Sequence, residues 1–170
     1  RGLILYPAQH GKTTLVSTLL PIWECCRDPN TLIGLIAKNE NEATSIIQSI
    51  QAEMSTNTEL IHDWGEFVPK PSEDKPWALQ KMSVGQRSIR AKEPTIAAFG
   101  SGSRGVLGHR TNWTICDDVI TEKNSATPEQ RATIKQWFMQ SVRTMNLPGG
   151  RTTVVGTLFD PADLYSDLVL

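Results

Sequence analysis

The sequence has no excess of charge of either sign, no apolar run long enough to cross a membrane, and few cysteines. Its 170 residues include 17 Lys and Arg against 18 Asp and Glu. No overall positive field therefore favours binding to nucleic acid, and any such contact must be local. The longest apolar stretch, residues 15–23, is too short for a bilayer and contains Pro21. Because no signal-peptide pattern opens the chain either, we expect a soluble protein without a membrane segment.

The cysteines exclude two further classes of protein. Cys25, Cys26 and Cys116 are odd in number and have neither zinc-ligand spacing nor the pattern of a disulfide framework. This usage favours a reducing compartment, and we expect the cytoplasm. The length, with 39% hydrophobic residues, suits a single domain. Because the chain opens on an apolar run and is still apolar at residue 170, we expect the parent protein to continue beyond both ends.

Short apolar runs that alternate with helical patterns predict an α/β fold. Five such runs indicate buried strands, at residues 2–6, 31–37, 95–99, 113–116 and 152–157. Helical periodicity indicates helices at residues 12–23, 40–54, 128–145 and 164–170. Prolines and scattered charges indicate a loop-rich excursion at about residues 63–90. This order predicts a mainly parallel central sheet in one domain that covers residues 1–170.

Residues 7–14 combine the features of a phosphate-binding loop. The predicted first strand leads into Gly11-Lys12-Thr13-Thr14, and a helix follows directly. In such a loop the backbone N–H groups surround phosphate oxygens, the lysine binds the β- and γ-phosphates, and the next hydroxyl ligates Mg²⁺. The alternative is an ordinary turn between a strand and a helix, because Tyr6 stands where the full pattern has glycine.

A second motif is the apolar strand at residues 113–116, which ends in Asp117 and Asp118. An aspartate at the carboxyl end of a neighbouring parallel strand can hold the Mg²⁺ bound at Thr13, and the next acid can polarise an attacking water. We assign the metal role to Asp117 and the base role to Asp118. The alternative is that the paired acids only cap the following turn or helix.

Two further segments carry candidate functional residues. The Gly- and Ser-rich loop at residues 99–110 contains Arg104 and Arg110, and an arginine near a γ-phosphate stabilises transition-state charge. Arg104 is the first choice for this role and Arg110 the second; the alternative is a solvated surface loop. The last predicted strand ends at Thr157, whose hydroxyl could sense the γ-phosphate, although a plain strand end explains the same residues.

Together these motifs resemble the ATPase domain of phage terminase large subunits, the motors that pump DNA into empty capsids. The resemblance covers nearly the whole chain. It rests on Gln9 with Gly11-Lys12-Thr13-Thr14, on Arg104-Gly105, on the strand that ends in Asp117-Asp118, and on residues 148–164.

This resemblance implies a P-loop NTPase fold of the ASCE type, a three-layer sandwich, with ATP and Mg²⁺ as ligands. It implies nucleotide binding by Gln9, His10, Gly11, Lys12, Thr13 and Thr14, and metal binding by Thr13 and Asp117. The catalytic residues would be Asp118, Arg104 and Lys12, and Thr157 would couple loss of the γ-phosphate to motion.

The resemblance also implies partners and a location. The partners would be double-stranded DNA, the portal protein, the small terminase subunit and further copies of the chain in a ring on the capsid, in the cytoplasm of the host cell. The family's nuclease domain is not represented in these residues, so no nuclease activity is expected of them. Two other functions fit the same motifs: a P-loop ATPase with another task on DNA, such as a helicase, or a module that binds nucleotide without turnover. Tyr6, Ala8 and the short side chain of Asp118 are consistent with the latter.

Overall fold

The computed structural model describes residues 2–5, 7, 10–158 and 162–169. Within them, six strands form one sheet with the order β1-β6-β5-β2-β4-β3. The neighbouring strands run parallel except at the edge, where β3 is antiparallel to β4. The strands are β1 (Gly2–Leu5), β2 (Ile33–Ala37), β3 (Lys81–Met82), β4 (Ile96–Gly100), β5 (Thr111–Asp117) and β6 (Asn146–Gly156). The mainly parallel α/β fold predicted from the sequence is therefore confirmed.

The helices that the periodicity predicts are present, with different ends. They are α1 (π-helical Thr13–Leu19 continued by α-helical Leu20–Arg27), α2 (Glu40–Thr56), α5 (Pro128–Trp137, followed by a π-turn at Phe138–Val142) and α6 (Leu164–Val169). Two short helices, α3 (Thr58–Trp64) and α4 (Glu122–Ser125), were not predicted. Asn57 separates α3 from α2, and its side chain accepts a hydrogen bond from the Leu60 N–H at 3.1 Å. This cap restarts a helix where the apolar pattern gives no boundary.

The sheet has a hydrophobic core on each face. Successive residues of a strand point to opposite faces, so Ile115 joins one core and Cys116 the other. Helices α1 and α2 cover the first face, with Val16, Ile22, Ile46, Ile47 and Ile50 in its core. Helices α5 and α6 cover the second face, with Ile134, Leu164 and Tyr165 in its core. This arrangement is compatible with a three-layer sandwich.

The first half of α1 is wound as a π-helix. Pro21 stands just after this part; it has no N–H to donate to the carbonyl of Ser17, and its ring crowds that carbonyl. Wider turns before Pro21 relieve this clash. The same turns bury the Ser17 side chain completely, below the end of β5.

Residues 148–150 form an irregularity inside β6, whose predicted extent is residues 152–157. Thr111 lies opposite Asn146, whereas Trp113 lies opposite Arg151. The intervening residues of β6 therefore bulge away from β5, and Gly149 takes a φ of 80°. The strand thus begins at Asn146, before the predicted start at residue 152, and includes the irregularity.

The loop-rich excursion lies at residues 65–95, because α3 extends to Trp64 and β4 begins only at Ile96. It contributes β3 to the sheet edge and the buried side chains of Phe67 and Val84 to the first core. It is thus attached to the sheet and not separate from it. In the described part of the chain, every helix is too short or too polar to cross a bilayer.

Candidate functional site

Three segments that are remote in the sequence meet around the side chain of Lys12. Gly11 takes a φ of 71°, a conformation that favours glycine, and α1 begins immediately after it. Lys12 is 8% exposed, and its Nζ donates a hydrogen bond to Thr157 Oγ1 at 2.7 Å. The same Nζ lies 3.7 Å from Asp118 Oδ1. The start of α1 and the carboxyl ends of β5 and β6 thus converge on one cation.

Asp117, the last residue of β5, is a buried carboxylate with few interactions that offset the loss of water around its charge. It is 3% exposed, and among the described residues neither of its carboxylate oxygens accepts a hydrogen bond of normal geometry. Burial raises the pKa of Asp117; the nearby Ser17 and Thr13 hydroxyls lower it, the Asp118 charge raises it further, and Lys12 lowers it. Those hydroxyls approach the carboxylate without forming good hydrogen bonds with it, since Ser17 Oγ is itself without a partner in the described residues. Asp117 therefore has carboxylate oxygens that can still accept hydrogen bonds or bind a cation, although the side chain is buried.

Asp118 follows in a left-handed backbone conformation. Its φ is 47°, the only positive φ among the described non-glycine residues, and its N–H donates to the Val155 carbonyl at 2.9 Å. Aspartate tolerates this conformation better than most residues. The turn directs the chain away from the sheet, and the Asp118 side chain is 39% exposed beside the buried Asp117. The two acids thus differ in access to solvent.

Strand β6 lies between β1 and the acidic strand β5, so the start of α1 and the acidic strand end are not on adjacent strands. The parallel registers of β6 with both strands bring all three carboxyl ends to the same edge of the sheet. The hydroxyl of Thr157, directly after β6, consequently lies close to the Lys12 ammonium. The predicted proximity of Lys12, Asp118 and Thr157 is thus achieved through an intervening strand.

Tyr165 of α6 supports this edge and was not predicted. Its buried ring packs on Gly156, where a Cβ atom would overlap the ring, so only glycine fits before Thr157. Its hydroxyl accepts a hydrogen bond from the Ile120 N–H at 3.1 Å, and burial raises the pKa of this hydroxyl. The buried Asp163 fixes the start of α6 by accepting from the Tyr165 N–H at 2.8 Å. Sequence periodicity marks Tyr165 as apolar packing and gives no sign of its position.

Lys38 and Glu42 also line the site, and sequence reasoning missed them. A cleft of about 50 Å³ is bounded by their side chains together with Thr13, Asp117 and Asp118. Lys38 Nζ lies 2.9 Å from a carboxylate oxygen of Glu42. The available signal was the position of Lys38 directly after a buried strand, but its use requires knowing that β2 lies beside β5.

The arginine-bearing loop makes its contacts elsewhere. Arg104 is exposed at the start of a 3₁₀ turn, Arg104–Val106. The Ser103 carbonyl before it accepts from the indole N–H of Trp137, and the Arg110 guanidinium donates to the Thr144 carbonyl at 3.4 Å. Between described residues, no hydrogen bond or ion pair joins Arg104 to Lys12 or to the two acids. Its catalytic role stays a prediction.

The remaining sequence candidates surround the start of α1. His10, Gly11 and Thr14 are exposed, and Thr13 is partly buried at the cleft beside Asp117. Gln9 lies outside the described residues. The exposed residues and the cleft leave the start of α1 accessible from solvent. Comparison with protein-family models and with curated proteins gives no significant match.

Proposed function

We propose that the chain is an ATP-hydrolysing module of a viral DNA-packaging motor, of the kind found in terminase large subunits. The observation that carries the proposal is the convergence of Lys12, Asp118 and Thr157, with an Nζ–Oγ1 distance of 2.7 Å and an Nζ–Oδ1 distance of 3.7 Å. A lysine at the start of a helix and an acid at a strand end are groups that P-loop NTPases use on Mg²⁺ and phosphates, and the Thr157 hydroxyl lies beside them. The site lies at the carboxyl ends of parallel strands, where α/β proteins bind their ligands.

The residues fit Mg²⁺ and a nucleotide. Mg²⁺ keeps several waters and binds through one or two carboxylates, and Asp117 has two buried oxygens without a protein hydrogen bond among the described residues. Thr13 lines the same cleft and would supply the hydroxyl ligand. When bound, Mg²⁺ would neutralise charge on the β- and γ-phosphates. The Leu15 N–H donates to the Gly11 carbonyl at 3.0 Å, and the N–H groups that precede it at the start of α1 would bind phosphate oxygens.

The proposed chemistry follows from the partners that each side chain has. Lys12 would exchange Asp118 for the phosphates and so release the carboxylate. Asp118, which is partly exposed, would then orient the attacking water and accept its hydrogen bond. Thr157 is in contact with Lys12 and would change partners when the γ-phosphate leaves. That change would pass from the end of β6 to α6 through the packing of Tyr165 on Gly156.

The strand order supports the finer classification of the fold. The ASCE type of P-loop NTPase has an additional strand between the phosphate-loop strand and the acidic strand, and β6 has this position between β1 and β5. Helices on both faces of the sheet support the three-layer sandwich expected for that type. We therefore propose the P-loop NTPase fold for residues 1–170.

The packaging role rests on the resemblance of the motifs to terminase large subunits. We propose double-stranded DNA, the portal protein, the small terminase subunit and further copies of the chain as partners, in the host cytoplasm at the procapsid. Arg104 is proposed as the arginine that stabilises transition-state charge. Because its exposed loop is held against α5 and not against Lys12, this role requires the loop to move or a neighbouring copy to supply it.

The test is phosphate release from ATP by the parent protein and by Lys12→Ala. We expect loss of the lysine to lower the rate by about 100-fold or more. Lys92→Ala, which removes an exposed lysine outside the site, should keep the parent rate. A Lys12→Ala protein that hydrolyses ATP at the parent rate contradicts the proposal.

Added DNA and portal protein distinguish the other functions. Stimulation that requires portal as well as DNA supports a packaging motor, whereas full stimulation by DNA alone favours a helicase-like ATPase. Nucleotide binding without phosphate release under every condition favours a binding module.

A further inference from the structure

The cleft beside Asp118 contains a second lysine and a second reachable carboxylate. Lys38 and Glu42 line it together with Thr13, Asp117 and Asp118. The strand register explains the position of Lys38: Ala37 of β2 lies opposite Asp117 of β5, so Lys38 and Asp118 both follow directly after paired strand ends.

The backbone of Glu42 is fixed at the start of α2. It lies in the first turn of α2, where its N–H donates to the side chain of the cap residue Asn39 at 2.9 Å. The carboxylate of Glu42 binds Lys38 Nζ at 2.9 Å, but the two side chains are 50% and 44% exposed. Exposed ion pairs of this kind are weak, and the four-carbon chain of lysine allows Nζ to change partners.

Two cations and two solvent-accessible carboxylates therefore lie at one place, beside the buried Asp117. Lys12 is 3.7 Å from Asp118, and Lys38 is 2.9 Å from Glu42. When Lys12 leaves Asp118 for another anion, Lys38 is the lysine that lines the same cleft as Asp118. A lysine on Asp118 would occupy the carboxylate that has to orient water.

We propose that Glu42 is a positioning residue, which holds Lys38 away from Asp118 and so keeps that carboxylate free to act on water. The proposal rests on the proposed ATPase function for its effect on turnover. Its structural part, the choice of partner by Lys38, is independent of nucleotide.

The kinetic experiment compares Glu42→Gln, Lys38→Met/Glu42→Gln and the parent. Glutamine cannot hold the lysine by charge, so we expect kcat for ATP to fall about tenfold with KM unchanged, because a base that is blocked part of the time loses part of its contribution. Removing Lys38 as well should restore kcat to within about threefold of the parent. Glu53→Gln removes one negative charge from an exposed position of the same helix and should keep the parent kcat.

A double variant that is as slow as Glu42→Gln overturns the proposal, since loss of the glutamate would then act without Lys38. An increase in KM in place of the fall in kcat overturns it as well, because Glu42 would then act on nucleotide binding.

A crystal structure provides the readout that does not depend on activity. Lys12→Met removes the cation from Asp118 without any nucleotide. In Lys12→Met/Glu42→Gln we expect Lys38 Nζ within about 4 Å of an Asp118 oxygen, the range of a salt bridge. In Lys12→Met alone, Lys38 should stay on Glu42.

If Lys38 points to solvent in the double variant, the proposal is overturned whether or not the parent hydrolyses ATP. Absence of phosphate release from the parent, with the expected crystal structures, instead contradicts the ATPase function and leaves the partner choice of Lys38 established.

Discussion

Strands β5 and β6 have a polar cluster at each end, and the two clusters differ in how their hydrogen-bonding capacity is used. At the amino ends, Thr111 and Thr114 lie 2.8 Å apart through their hydroxyls, and both donate to the Asn146 side-chain oxygen at 3.2 and 2.9 Å. The Asn146 amide nitrogen donates to Thr152 at 2.6 Å. The polar atoms of this cluster satisfy one another.

At the carboxyl ends of the same strands, several buried atoms have no hydrogen-bond partner among the described residues: both oxygens of Asp117, Asp118 Oδ1 and Ser17 Oγ. Within the described part of the chain, the charge of Asp118 is balanced by an ion pair of 3.7 Å with Lys12. Burial of the Asp117 charge is unfavourable unless something binds it. The amino-end cluster is therefore complete in itself, whereas the carboxyl-end cluster keeps acceptor capacity that no described residue uses.

A substitution in the carboxyl-end cluster should lower activity more than any other change described here. Asp117→Asn keeps the shape of the side chain but removes the charge that would hold Mg²⁺. We expect phosphate release from ATP to fall by about 1,000-fold. Steady-state phosphate release at several Mg²⁺ concentrations measures this effect. A parent-like rate at any of them would show that the free oxygens of Asp117 have no role in turnover.

The second expected effect separates the two acids from each other. Asp118→Asn should lower kcat by about 100-fold, the usual contribution of a general base, while nucleotide affinity changes little. Single-turnover phosphate release gives the rate, and titration with a fluorescent ATP analogue gives the affinity. Equal losses of rate and affinity would assign Asp118 to binding and contradict the role proposed for it.

The third effect concerns the amino-end cluster and should be on stability alone. Asn146→Ala leaves the hydroxyls of Thr114 and Thr152 without their shared partner, and we expect a loss of about 2 kcal/mol in the free energy of unfolding. Urea denaturation measures it, with the exposed Asn41→Ala as control. The ATPase rate per folded molecule should stay at the parent value. A loss of ATPase activity without a loss of stability would show that the amino-end cluster also acts on turnover.

The smallest effect is a gain of stability at the carboxyl end. Because burial raises the pKa of Asp117 in the folded protein, its charge destabilises the nucleotide-free fold at neutral pH. Asp117→Asn should therefore be more stable than the parent by about 1 kcal/mol at pH 7. The gain is full above the raised pKa and disappears as the pH falls towards the ordinary value of 3.8, since the parent carboxyl is then protonated.

Thermal denaturation in metal-free buffer from pH 4 to 7 measures this difference. Added Mg²⁺ with a non-hydrolysable ATP analogue should stabilise the parent and not Asp117→Asn. A variant that is less stable than the parent at pH 7 would indicate that the carboxylate is compensated in the fold.

The sequence was sufficient to predict the residues that meet at the carboxyl ends of the strands. A glycine-lysine pair after one apolar run, two acids after another and a threonine after a third all mark strand ends, and the ends of parallel strands share one edge. This reasoning brought Lys12, Asp118 and Thr157 to the same site, and their short distances confirm the proximity. Their chemical roles stay predictions.

The sequence did not predict the features that depend on strand order or on side-chain packing. The position of β6 between β1 and β5 follows from packing of the whole sheet. The pairing of β2 with β5 does so as well, and without it Lys38 has no apparent relation to Asp118. The contact of Tyr165 with Gly156 joins α6 to the end of β6, and a periodicity that records only apolar character does not reveal it. Helix α3 was missed for a local reason, because the capping by Asn57 outweighs a weak apolar pattern.

The pairing of β1 with β6 also has a consequence for how the chain folds. Gly2 lies opposite Thr153, and Lys12 and Thr157 are 145 positions apart in the chain. Closing a loop of this length costs more entropy than forming the local contacts within α1 or α2, and contacts between distant segments slow folding. A chain that leaves the ribosome from its amino end cannot assemble this site until residue 157 is available. The contact between Lys12 and Thr157 therefore reports the completion of folding, and a truncated or partly folded chain keeps its lysine without the hydroxyl beside it.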